Sequence, residues 1–166
     1  MTDHAPASNK LLIIGLGNPI LGDDGVGWRV AEGVNHIIGA GFSSPYRIEV
    51  DCLAAGGLTL MERMLGYKRV IIIDAMTSSN SIPGSLTCFP LHDLPNRHSG
   101  HINSSHDTTL QDALQIGAAM GATIPDQVDI VAVETKENFE FSEQLSPEVA
   151  RAVPLAIQAV LDFIRL

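Results

Sequence analysis

Residues 69–75 read Arg-Val-Ile-Ile-Ile-Asp-Ala, four β-branched side chains in succession with a carboxylate after them. A strand with one wet face alternates apolar and polar residues, whereas an unbroken apolar run is covered on both faces. Such a strand belongs in the middle of a parallel sheet. Parallel neighbours need long crossovers, usually helices, so the run by itself points to alternating strands and helices.

The rest of the chain supplies that alternation. Residues 11–16 are a short apolar run ending in glycines and read as a buried strand. From Asp24 the period changes, with Val26, Val30, Val34 and Ile37/Ile38 at helical spacing. Residues 46–53 alternate through Ile48, Val50 and Cys52 as a second strand, and 58–65 form a short helix with Leu58, Met61 and Leu65 on one face. Pro83-Gly84 marks a turn before a strand at 85–89, 110–120 is helical, and 128–133 is a further strand. Ser146 as N-cap with Pro147 in the first turn opens the last helix, which Pro154 should kink. The expected fold is a three-layer α/β/α domain over residues 11–166, behind a mobile segment at residues 1–10.

Composition narrows the function. The 166 residues hold 19 Asp plus Glu against 10 Lys plus Arg, a formal charge of -9, which argues against a nucleic-acid or anionic-membrane binder. Cys52 and Cys88 are too few for a disulfide framework or a Cys-rich zinc site and read as buried, reduced thiols. The start, Met-Thr-Asp-His-Ala-Pro, lacks the basic and apolar regions of a signal peptide, and no stretch reaches the roughly 20 apolar residues that span a bilayer. These features read as a cytoplasmic protein.

In open α/β sheets, sites form beyond the carboxyl ends of the strands. Three places meet that rule. The first is Gly15-Leu16-Gly17-Asn18-Pro19-Ile20-Leu21-Gly22-Asp23-Asp24-Gly25. It lacks the third glycine of a dinucleotide fingerprint, and its two carboxylates would repel a phosphate. Asp23 and Asp24 lie where a helix N-terminus welcomes negative charge, so capping is their plain reading and metal ligation the sharper one. Asn18 is placed to brace the turn through its side chain. The second place is Asp74, at the tip of a buried strand where an uncompensated charge is costly. The third is a long irregular stretch with four of the six histidines: His92, His98, His101 and His106. Only His106 directly precedes a helix, which would hold it in place. Two carboxylates and an imidazole from separate strand ends make an open oxygen/nitrogen site for a borderline divalent ion. The chain offers no Gly-x-Ser-x-Gly elbow and no cysteine in an electropositive loop to compete as nucleophile.

The opening GLGNPILGDDGVG, the strand end IIIDA, and SSHD before a helix resemble the [NiFe]-hydrogenase maturation endopeptidases, from about Leu11 to the last helix. The resemblance implies a twisted, mostly parallel five-stranded sheet flanked by helices (phosphorylase/hydrolase-like). It implies an endopeptidase that removes the C-terminal extension of a nickel-loaded hydrogenase large-subunit precursor, aspartic-type in class. Residue by residue it implies Asp24, Asp74 and His106 as the nickel-contacting and catalytic set, with nickel supplied by the precursor. Gly56-Gly57 looks like the family's Gly-rich loop. The chain departs from the family's Gly-Ile-x-Pro, with Val131-Ala132-Val133-Glu134-Thr135 in its place and an acidic stretch to Glu143 after it. That edge fits a subgroup with its own partner. A monomer is expected, with no nucleic acid and no membrane. Two other readings of the same residues are a metal-dependent hydrolase of a small molecule and a non-catalytic chaperone or metal carrier that binds the precursor.

Overall fold

The computed structural model describes residues 9–80, 82–94, 108–136 and 140–166. Strands β1 (Lys10–Leu16), β2 (Arg47–Leu53), β3 (Arg69–Met76), β4 (Leu86–Pro90) and β5 (Gln127–Glu134) form one sheet in the order β2-β1-β3-β5-β4. All neighbours are parallel except β4, which runs antiparallel to β5 at the edge. The three-layer expectation therefore holds. β3 is central and buried at every residue, as its unbroken apolar run requires.

Side-chain alternation splits the core in two. Ile71, Ile73, Val131 and Val133 face the layer of helices α1 (Val26–Gly39) and α4 (Pro147–Arg165). Val70, Ile72, Met76, Ile130 and Ala132 face the layer of α2 (Gly57–Met64) and α3 (Leu110–Ala119). Fully burying one such aliphatic side chain is worth about 1.5–3 kcal/mol.

The helices start largely where the sequence places them. Ser146 accepts a hydrogen bond from the Val149 N–H, with Pro147 in the first turn of α4. Thr109 caps α3 through the Asp112 N–H. α4 runs on through Pro154, which lies on its exposed side. The first helix is entered through a 3-10 turn, Gly22–Gly25, so α1 proper begins two residues past Asp24.

One buried ion pair locks the amino end of the sheet. Arg69 donates through Nε and Nη2 to Asp129 Oδ2 at 3.1 and 2.9 Å, and through Nη1 to the Phe163 carbonyl of α4 at 2.7 Å. Gln127 Nε2 adds a fourth bond, to the same Asp129 oxygen at 2.8 Å.

The cysteines are free, and neither is as buried as expected. Cys52 is half-buried, whereas Cys88 is exposed because β4 is an edge strand with an open face. Burial pushes the Cys52 thiol up to about 11, with Glu32 and Asp51 adding to the shift. In a Cys88→Ser background, alkylation of Cys52 at pH 8 should therefore run about a hundredfold slower than that of a free cysteine. A rate equal to that of a small thiol would contradict its burial.

Candidate active site

The site is built from the carboxyl ends of β1 and β3. β1 ends at Leu16, and Gly17 turns the chain at φ 130 while its N–H bonds the Leu53 carbonyl at 3.0 Å. A Cβ at Gly17 would sit 1.8 Å from the Asp24 carbonyl oxygen, so only glycine lets the loop fold back on itself. Gly17→Ala should therefore destabilise the chain by at least about 1–3 kcal/mol and displace Asp24, read as a lowered denaturation midpoint. An unchanged midpoint would mean that the turn is not tight.

Asn18 braces this loop as expected, its Oδ1 accepting the Ile20 N–H at 3.2 Å. Its own N–H donates to Asp24 Oδ2 at 2.8 Å. Asp24 is only 4% exposed. Neither acid caps the helix by its side chain. Asp23 Oδ1 instead accepts the N–H of Ser146 at 2.6 Å, which ties the loop to the start of α4. The capping reading of both acids is thus replaced by a tertiary contact for Asp23 and a loop-closing contact for Asp24.

α1 brings the Asp24 turn against β3. A Cβ at Gly27 would lie 2.2 Å from the Leu16 carbonyl and 2.6 Å from that of Ile73, the residue before Asp74. The missing side chain lets the start of α1 press onto both strand ends. Asp74 itself is fully buried. It faces the α2/α3 layer, in register with Ala132 of β5.

His106, the third member of the predicted set, lies outside the described residues, as do His98 and His101. The described chain resumes at Thr108, directly before the cap of α3, so the helix that follows His106 is present. Among the described residues no three His, Cys, Asp or Glu side chains stand together as a metal site. His92 is described and lies away from the set, 80% exposed in its side chain and 3.6 Å from Asp93. It lines a cavity of about 590 Å³ with Gln127 and Val128, at the amino end of β5 and therefore at the wrong end of the strands for this fold. A smaller cavity of about 180 Å³, lined by Gly56, Gly57, Leu58, Thr59 and Thr108, opens at the Gly-rich start of α2.

Two features escaped the sequence reading. The stretch after β5 pairs with the Asp24 loop: the Ser142 N–H bonds the Ile20 carbonyl at 3.0 Å, and the Gly22 N–H bonds the Ser142 carbonyl at 2.7 Å. It holds Phe141, 86% exposed, beside the half-exposed Ile20 at the rim of the site. The second feature is Glu134, at the end of β5 and 6% exposed, which accepts from Ser78 Oγ at 3.0 Å. A carboxylate closing a buried strand was the signal for Asp74, and it applied equally here.

The arrangement offers buried oxygen donors at one sheet edge and a raised, inert Cys52 thiol on β2. It suits cation binding and acid–base work and provides no described thiol nucleophile.

The chain matches the family model described as hydrogenase maturation protease over residues 48–163. It is 26% identical over 156 residues to the hydrogenase 2 maturation protease of Escherichia coli, covering 94% of this chain and 91% of that one. It is 25% identical over 155 residues to the hydrogenase expression/formation protein HoxM of Azotobacter vinelandii, covering 93% and 72%. Its fold is similar to that of the hydrogenase maturating endopeptidase HybD from E. coli, with TM-score 0.75, 26% identity, and 94% and 92% of the two chains covered.

Proposed function

Since the chain belongs to the hydrogenase maturation protease family, a family of peptidases, we propose that it removes the C-terminal extension of a nickel-loaded [NiFe]-hydrogenase large-subunit precursor. The observation that carries this reading is the burial of two carboxylates at one sheet edge, one from the loop after β1 and one from the end of β3. Asp74 ends the apolar run of β3, and Asp24 is held by the turn that only Gly17 permits. Two buried carboxylates at the carboxyl end of a parallel sheet stand where sites form in folds of this class, which supports a binding role.

In this reading nickel arrives with the substrate. Asp24 and Asp74 offer it oxygen and His106 offers nitrogen, a donor set suited to a borderline divalent ion. A bound metal polarises a neighbouring carbonyl or lowers the pKa of a water. A carboxylate at this edge can accept the proton of an attacking water. The rim formed by Ile20 and Phe141 gives the precursor an apolar surface next to the acids. Among the described residues no helix is long and apolar enough to cross a membrane, and the acidic charge disfavours nucleic acid. Action in the cytoplasm as a monomer completes the proposal.

The test is incubation of the purified chain with the precursor in nickel-loaded and nickel-free forms, followed by mass measurement. Only the loaded precursor should shorten. Equal cleavage of both forms would remove nickel from the recognition, and binding without cleavage would favour a chaperone.

A further inference from the structure

β5 carries two buried acids, and they have opposite surroundings. Asp129, near its amino end, is satisfied by Arg69 and Gln127. Glu134, at its carboxyl end, has Ser78 on Oε1, while Oε2 is buried with no hydrogen-bond partner among the described residues. No described Lys, Arg or His pairs with it. A buried carboxylate oxygen without a donor is costly, and a cation is what compensates it.

Its position says which cation. Asp74 is in register with Ala132, and Glu134 lies two residues further along β5. The two-residue period puts Asp74 and Glu134 on the same face, toward α2 and α3, about 8 Å apart along the diagonal of the sheet. Glu134 thus stands on the β5 side of Asp74, opposite the loop of Asp24, and one step closer to the carboxyl edge. Its backbone is pinned there, with its N–H on the Ser85 carbonyl at 2.9 Å and its carbonyl accepting the Gly84 N–H at 2.8 Å. Ser78 fixes one carboxylate oxygen and leaves the other for a ligand, as partners around metal-binding carboxylates do.

We propose that Glu134 and Asp74 together offer a divalent ion two carboxylates on the β5 side of this edge, a pair short of the three donors of a complete site, with Ser78 as the residue that orients Glu134. The inference rests on the nickel-contact reading of Asp74. It gives the departure at residues 131–135 a role: the strand end carries an oxygen donor.

The test is calorimetric titration of the full-length chain with nickel chloride, for wild type, Asp74→Asn and Glu134→Gln, with thermal unfolding of each in chelator. Glu134→Gln should weaken nickel binding about tenfold or more. In chelator it should melt no lower than wild type, because Gln keeps the oxygen that accepts from Ser78 and loses only the charge. Weakening by Asp74→Asn but not by Glu134→Gln overturns the Glu134 assignment and leaves the proposed site standing. Nickel binding that survives Asp74→Asn contradicts the site itself. A lower melting point for metal-free Glu134→Gln, or no nickel binding by wild type, also overturns the assignment.

Discussion

Purified Asp74→Asn protein is expected to leave the hydrogenase precursor at full length while keeping its fold. The substitution preserves shape and removes one charge from a fully buried position. Whether Asp74 grips the ion or accepts a proton, the loss should be at least about a hundredfold in rate, the scale of a lost acid–base or ligand contact. The fold should survive, since the amide keeps the size and shape of the carboxylate. Processing rate and unfolding midpoint together separate the roles. A variant that cleaves normally contradicts the site assignment, and one that fails to fold makes Asp74 a structural residue.

The largest stability effect belongs to the opposite end of the sheet. Asp129→Ala leaves the Arg69 guanidinium buried without its carboxylate and should cost about 3–5 kcal/mol. That is a large share of the roughly 5–15 kcal/mol available to a domain. Removing both partners, as Arg69→Met with Asp129→Leu, should recover much of the loss, because the desolvated charges disappear together. Denaturant titration of the three proteins checks this. A loss below about 1 kcal/mol for Asp129→Ala would mean that the pair is solvated. Asp129→Ala should thus destabilise the chain strongly, whereas Glu134→Gln on the same strand should not, although both acids are buried.

Much of the fold was legible because its signals are local. The apolar run of β3, the period change after Asp24 and the Ser146-Pro147 start of α4 each encode an element within a few residues. Non-local facts were not legible. The antiparallel course of β4 follows from its edge position, which also exposes Cys88. The Arg69–Asp129 pair joins residues of neighbouring strands, far apart in the chain. Asp23 looked like a helix cap because the helix is next to it in sequence, yet its partner is Ser146. For the candidate site, Asp24 and Asp74 were readable as carboxylates after strands, and the structure sets both in buried positions at one edge. Glu134 escaped because the reading ended β5 one residue too early, so the carboxylate looked like loop.

The central claim, that this chain shortens a hydrogenase large subunit, is tested most directly by mass spectrometry of that subunit from cells with and without the gene. The account predicts a heavier subunit in the deletion strain, with the added mass equal to a C-terminal peptide. A subunit of mature mass in both strains, with no second processing protease present, would contradict it.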